Sequence, residues 1–506
     1  METAEKIKIS KKLQENIEFI KRELDVDNNF DVILREIKIG GKDAAFLFVD
    51  GLVKDHETLK ILELLMHLPR EETVPKTIKK LIREHIGYIE VETVESITDL
   101  INQVLAGPLA ILINGQDEAI ILDVREYPAR GPEEPDLEKV VRGSRDGFVE
   151  TLVFNTALIR RRIRDSRLRM EIMQVGKRSK SDIVISYIED IANPELIQQV
   201  KDLIEKIDID GLPMAEKSLE ELITPGSYWN PLPKVRYTER PDVAAVHLLE
   251  GHVLIITDNS PSVIILPTTY WHHVQHAEEY RQSPAIGVYI RWVRFLAIFA
   301  SVFILPSWFL VSLQPELLPQ HLRFIGPEEV GKVPLLWQFI MAEFAIDFLR
   351  MAAIHTPSPL ATSLGLIAAI LIGQVAIDIG MFAPEVLLYV SIAAVGTFST
   401  PSYELSNANR LIRFMLVILV GLFQLPGFIF GLVLAFGLII FTKSFGVPYF
   451  WPLIPLNLSA LKGILVRSPV PIQNVRPSFL KPKDFTKQAV PARKPEGNKN
   501  KKQKKE

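Results

Sequence analysis

The sequence contains no cysteine. It offers no disulfide framework, no thiolate for a zinc site and no thiol nucleophile. It also lacks an apolar run at its start. METAEKIKISKKLQENIEFIKREL is charged throughout, without the roughly 7–15-residue hydrophobic stretch of a signal peptide, so the first half is expected to stay in the cytoplasm. Walker A, GxGxxG, GxSxG and HExxH patterns are all missing. Gly40–Gly41–Lys42 lacks the upstream glycine and the following Ser/Thr of a phosphate loop, and reads as a turn. No catalytic set, cofactor site or metal site is expected, and the chain reads as a non-enzyme.

Charge is the other scarcity, and it is local. The net charge of -3 over 506 residues is ordinary. Yet charged residues are dense up to about Arg291 and sparse from Trp292 to about Lys462. A spanning helix needs about 20 apolar residues to cross about 30 Å of hydrocarbon. Phe295–Leu313, Thr356–Ile377 and Val386–Tyr403 qualify, and Phe414–Thr442 runs longer than one span needs. The LPG at Leu425–Gly427 in that last run fits a tilt, a kink or a broken pair. Pro334–Ala353 and the proline-rich Ser444–Leu461 are ambiguous, the latter suiting an irregular buried piece. Basic residues (Arg281, Arg291, Arg294; Arg410, Arg413; Lys462 onward) place both ends inside, which requires an even count of four or six. Tyr270, Trp271, Tyr280, Tyr289 and Trp292 suit an interfacial belt; for Tyr270 and Trp271 a folded core fits equally well.

Polar groups inside the apolar half are conspicuous because each isolated charge at mid-bilayer costs about 2.5–3.5 kcal/mol. Glu343, Asp347 and Arg350 fall on one helical face, with an Asp347–Arg350 pair allowed and Glu343 left to find a partner elsewhere. The stripe lines a water-filled path or forms a structural ion pair. Ala361, Gly365, Ala369 and Gly373 repeat every four residues, which lets helix backbones approach closely, and Gln374 and Asp378 follow as a polar pair. That helix packs in a bundle or borders a pore.

The soluble half alternates strand and helix patterns. Phe30–Ile39 and Ala44–Val49 flank the Gly40–Gly41 turn as a hairpin; Tyr88–Val94, Ile97–Val104, Ala110–Asn114 and Ala119–Val124 read strand, helix, strand, strand. PARGPEEP (Pro128–Pro135) is a linker between two α/β subdomains. Beyond it Ile183–Tyr187, Val243–Leu249, His252–Thr257 and Ser262–Leu266 read as strands, and Pro194–Ile207 as a helix. Arg160, Arg161, Arg162, Arg164, Arg167 and Arg169 crowd ten residues. They suit an acidic partner, lipid headgroups or, more plainly, a face paired with neighbouring acids; nucleic acid is set aside for want of a binding fold. His272 and His276 stand i, i+4 but lack a third ligand, so the segment reads as an interfacial surface helix. From Lys481 the chain is basic and poor in large apolar residues, and is expected to be disordered.

Four stretches carry a resemblance: Val141–Met170 (VRGSRDGFVETLVFNTALIRRRIRDSRLRM), Ile207–Leu212, Arg240–Trp271 and Gly365–Leu405 (GLIAAILIGQVAIDIGMFAPEVLLYVSIAAVGTFSTPSYEL). In this order, over most of the chain, they resemble the A-subunit family of bacterial spore germinant receptors. QHAEEYRQSPAIGVYIRWVRF, MAAIHTPSPLA and GVPYFWPLIPLNLS are similar to one branch of it, apart from the nutrient-receptor subunits. The resemblance implies an α/β cytoplasmic region of two subdomains, then a helical transmembrane domain of four to six spans. The division reads 1–28 extension, 29–135 and 136–290 soluble subdomains, 291–465 membrane domain and 466–506 basic tail. It further implies the inner spore membrane, a five-fold ring-like homo-oligomer in membrane lipid, and an ion channel of germination. The partner would be a small membrane protein or, in a nutrient receptor, B and C subunits. No nutrient-binding residue transfers.

Overall fold

Gly40 and Gly41 both take positive φ, 54° and 75°, and close a two-residue turn between antiparallel strands β1 (Val32–Ile39) and β2 (Lys42–Val49), with Ile39 opposite Lys42. Two adjacent left-handed residues are what a type I′ hairpin demands, and glycine meets that demand without strain. The computed structural model describes residues 7–74, 77–87, 90–126, 138, 140–224, 226, 228–328, 331–355 and 373–488. The linker at 128–135, and Ala361, Gly365 and Ala369, lie outside them. The chain divides into two units, one of residues 1–224, 237–267 and 469–506, the other of 225–236 and 268–468.

Among its described residues the first unit holds two five-stranded sheets of the same plan. In the first, β1 and β2 are joined by β3 (Val91–Val94), β4 (Leu109–Ile113) and β5 (Ala119–Leu122) in the order β1-β2-β4-β5-β3. In the second, β6 (Leu168–Val175), β7 (Ser181–Ile188), β8 (Arg236–Thr238), β9 (Val253–Thr257) and β10 (Val263–Leu266) take the order β6-β7-β9-β10-β8. Renumbered from its own start, each sheet is 1-2-4-5-3.

Pleating divides β2 between two cores. Ala45, Leu47 and Val49 meet Ile17, Ile20 and Leu24 of helix α1 (Leu13–Leu24) and Leu100 and Val104 of α2 (Ile97–Val104). Ala44 and Phe46 meet Leu62, Leu65, Ile78 and Leu81 on the other face. A sheet covered on both faces makes its inner strands apolar throughout, which is why LAILI in β4 is buried at every residue.

Helix α3 (Leu152–Arg162) precedes the second sheet, and α4 (Pro194–Glu205) forms as expected. Val243–Leu249, expected as a strand, is instead part of helix α5 (Pro241–Glu250). Pro241 sits in its first turn, and Gly251, at φ 104°, caps it by donating to the His247 and Leu248 carbonyls. The expectation of disorder from Lys481 also fails for the described residues up to 488. Arg476 donates to the Leu249 carbonyl (2.9 Å) and to Asp484 (2.8 Å), Val475 bridges to Thr486, and the Lys483 amide reaches the Ile191 carbonyl (2.9 Å).

Among the described residues of the second unit, two helices are long and apolar enough to cross a membrane, α6 (Pro284–Leu313) and α9 (Tyr403–Phe441); α7 (Leu335–His355) and α8 (Pro384–Phe398) lie between them in the chain. Helix α8 is shorter than the expected span Val386–Tyr403. It stops ahead of Pro401, whose ring disfavours helical backbone at Thr400.

Helix α9 is two arms. Gln424 leaves helical geometry (φ 53°, ψ -131°) two residues before Pro426. A Cβ on Gly427 would collide with the Leu419 carbonyl, and one on Gly431 would come within 2.6 Å of Leu416. In a straight helix those partners would be about 12 and 22 Å apart. The arms 403–423 and 425–441 therefore lie back to back, and LPG marks a broken pair. At the reversal Gln424 accepts from Gln314, beyond the end of α6 (2.9 Å), and further back Phe436 stacks on Phe303. Pro284 and Phe441 thus lie at one end of the bundle, Gln314 and Gln424 at the other. Ser444–Leu461 is irregular, as expected: two-residue strands Lys443–Ser444 and Val447–Pro448, then turns.

Candidate functional site

The polar stripe of α7 faces the first arm of α9. Glu343, 5% exposed, accepts two parallel hydrogen bonds from Arg413, 2% exposed: Nε to Oε1 at 2.7 Å and Nη2 to Oε2 at 2.8 Å. One turn along, Asp347 pairs with Arg410, and at the next turn the Arg350 guanidinium lies 4.7 Å from the Tyr403 ring centre. The expected Asp347–Arg350 pair is not the one formed. Long-range partners on an antiparallel helix replace it, matching charge at each turn of the contact.

Arg413 gathers more than its carboxylate. Its Nη1 donates to the Ser301 carbonyl of α6 (2.6 Å) and to Thr397 Oγ1 of α8 (3.1 Å). Four helices meet at one guanidinium, whose planar array of donors suits several fixed acceptors at once. The approach is tight because Gly396 of α8 has no side chain. A Cβ there would strike the Ala297 carbonyl and come within 3.0 Å of Ser301 Cβ.

A second buried arginine closes the other end of α6. Arg291 and Glu279 are both fully buried and joined at 2.6 Å; Arg291 also donates to the carbonyls of Gly463 (3.1 Å) and Ile464 (2.7 Å), and Arg294 joins the same carboxylate. Four of the arginines used to infer orientation, Arg291, Arg294, Arg410 and Arg413, are thus held in ion pairs within helices rather than in loops.

Gly373, Gln374 and Asp378 are the described end of the small-residue segment. Space above Gly373 is open, and Gln374 and Asp378 are exposed. Val375 and Ile379 beside them are exposed too, at 45% and 53%. Lys332 donates to the Ile379 carbonyl (2.9 Å), so a cation stands near this polar pair.

The histidines are dispersed. The helix Tyr270–Val274 ends before His276, so His272 and His276 share no helical face. His272 Nδ1 caps that helix at Thr269, and His276 Nδ1 accepts from the Glu278 amide. His273 and Val274 are buried, which corrects the expectation of a surface helix. Burial, with Arg236 nearby, pushes His273 down to about 3, keeping it neutral. Tyr270 and Trp271 belong to an aromatic core with Tyr449, Phe450 and Phe295, whereas Tyr280, Tyr289 and Trp292 are exposed.

The family profile described as Bacillus/Clostridium GerA spore germination protein matches residues 18–479. The chain belongs to this GerA family. Stage V sporulation protein AF of Bacillus subtilis (strain 168) is 50% identical over 484 residues, covering 96% of this chain and 98% of the relative. Spore germination protein KA of the same organism is 32% identical over 489 residues, covering 95% and 89%. Spore germination protein GerLA of Bacillus cereus is 29% identical over 462 residues, covering 90% and 93%. The crystal structure of the N-terminal domain of the A subunit of the Bacillus megaterium spore germinant receptor GerK3 aligns with a TM-score of 0.41 at 24% identity, over 52% of this chain and 97% of that one.

In this GerA-family chain the arginine cluster of the first unit is largely consumed by pairing. Arg160, fully buried, holds Asp31 through Nε (2.8 Å) and Nη2 (3.1 Å) and donates to the carbonyls of Asp165 and Leu168 (both 3.2 Å). Arg162 pairs with Asp146, Arg167 with Asp165 and Asp190, and Arg169 with Glu189. The sequence singles out the arginines but not Asp31, and singles out Glu343 and Arg413 separately, the latter as a mark of orientation and not as the partner of Glu343. In both cases the pattern of one segment carries no sign of a partner far along the chain.

Proposed function

We propose that this GerA-family chain is a non-enzymatic membrane protein and a subunit of an oligomeric cation channel that takes part in ion release during spore germination. The observation that carries the reading is the exposure of Gln374 and Asp378 at the described end of the small-residue segment. Asp378 ends that segment, where a carboxylate repeated around a ring would favour cations at the mouth of a path. A ring of copies, with five as the expected number, would turn such groups toward a shared aqueous path. The Glu343–Arg413 hub would keep each subunit's bundle rigid beside that path.

In this reading the protein sits in the inner spore membrane with both soluble ends in the spore core. The reading takes six crossings: α6, α7, the apolar stretch Thr356–Ile377, α8 and the two arms of α9. A small membrane protein is the expected partner. The identity to stage V sporulation protein AF favours this over a nutrient-receptor A subunit working with B and C subunits. A non-conducting scaffold is the remaining alternative.

Conductance of the purified intact oligomer in planar bilayers tests the reading. Cation-selective current is expected, with selectivity weakened in Asp378→Asn. Silence from an oligomer shown to be intact would leave the scaffold.

A further inference from the structure

We infer that the second unit carries a binding site for an anionic phospholipid at the end of the second α9 arm; this rests on the membrane reading above. A cavity of about 910 Å³ opens there. Its floor is the helix face bearing Val433, Gly437 and Phe441, and its rim carries Trp229, Lys234 and Lys443.

Three properties point to the ligand. The first is charge: both ionisable groups lining the cavity are lysines, with no acidic side chain among the described lining residues. Lys234 is 8% exposed and its ammonium lies against Gly226 of the lining, whereas Lys443 is exposed at the mouth.

The second is shape. A Cβ on Gly437 would meet nothing within 4 Å, so the groove runs open along the helix where an acyl chain would lie. Val433 and Phe441, 63% and 84% exposed, border it with apolar surface.

The third is construction. Asn230 donates to Thr442 Oγ1 (2.8 Å), Thr442 in turn donates to the Leu438 carbonyl (2.6 Å), and Ser444 donates to the Lys234 carbonyl (2.6 Å). These bonds fix the backbone carrying both lysines. Trp229, 94% exposed, is the residue type that prefers the headgroup level of a bilayer.

A basic rim over an apolar groove at a helix end matches a headgroup phosphate above an acyl chain. The negative end of the arm's own dipole opposes an anion by about two- to fivefold. Two lysines at about fivefold each outweigh it.

The test uses full-length protein extracted from membranes and exchanged into mild detergent with equal phosphatidylglycerol and phosphatidylcholine. Native mass spectrometry then counts the retained lipid. Wild type is expected to keep phosphatidylglycerol in preference. Lys443→Gln, an exposed change that spares the fold, should lower that retention about fivefold, and Lys234→Gln/Lys443→Gln about 25-fold, with phosphatidylcholine unaffected. Gly437→Phe, which fills the groove without altering charge, should lower retention of both lipids. Equal phosphatidylglycerol retention by wild type and the double lysine variant overturns the site. So does oxidative self-cross-linking of Gly437→Cys, since the chain has no other cysteine and the groove would then belong to a second copy. A chain absent from the membrane fraction removes the membrane reading itself, before any lipid is counted.

Discussion

Two buried arginines, one in each unit, solve the same problem in different surroundings. Arg160 grips Asp31 among sheets and helices and is completed by two backbone carbonyls. Arg413 grips Glu343 among apolar helices and is completed by one carbonyl and one hydroxyl. Both place two charges where water is excluded, and both rely on a two-point geometry that lysine cannot reproduce. They differ in what surrounds the ion pair. Around Arg160 the fold supplies further peptide groups that keep solvating the cation if the acid is lost. Around Arg413 four helices converge, so the pair is also the point where they are fastened. The same chemistry closes a joint in one place and organises a bundle in the other.

The largest effect is therefore expected at the bundle. Glu343→Ala leaves Arg413 buried without a counter-charge and should cost about 3–5 kcal/mol, read as a fall in the thermal midpoint of detergent-solubilised protein. Replacing both residues with methionine should recover most of it, because two apolar groups need no partner. If the single variant melts like wild type, Arg413 does not fasten the bundle.

Asp31→Ala comes next, at about 3 kcal/mol, since the carbonyls of Asp165 and Leu168 still hold Arg160. Urea unfolding followed by a probe in the first unit measures it. A loss as large as that of Glu343→Ala would erase the distinction drawn between the two sites.

Asp347→Ala should cost less, at about 1 kcal/mol in the same thermal assay, because Asp347 and Arg410 remain 28% and 24% exposed and Arg410, two turns into α9, can extend its long side chain toward the helix end. The smallest change is expected at Asp50, whose carboxyl is raised above its ordinary value of 3.8 by burial first and by like-charged Asp55 and Asp31. A raised value in the folded state means that folding favours the protonated form, so Asp50 contributes most below pH 3.8 and least once pH has risen through its folded-state value. Asp50→Asn should accordingly raise the urea midpoint slightly at neutral pH, and that gain should fade on acidification. A gain that grows toward low pH would reverse the assignment.

What the sequence reveals follows the range of the interaction. The Gly40–Gly41 hairpin was legible because a two-residue turn and its flanking alternation are local. The α7 stripe was legible as charge on an apolar helix, but Arg413 lies 70 residues from Glu343, and its own neighbours made it read as a loop residue. Helix α5 was mistaken for a strand because it is apolar on several sides; only the Pro241 and Gly251 boundaries signal its true form. The reversal at Gln424 was half legible, since LPG breaks a helix without saying how far the chain turns.

The Asp31–Arg160 pair has a consequence for the order in which the protein is made. Asp31 leaves the ribosome 129 residues before its partner, a delay of roughly 6–26 s at about 5–20 residues per second. During that interval the first sheet can collapse, but the carboxylate at the start of β1 must stay hydrated. The first half of this protein thus waits at one corner for the second, and synthesis itself sets how long that corner stays open.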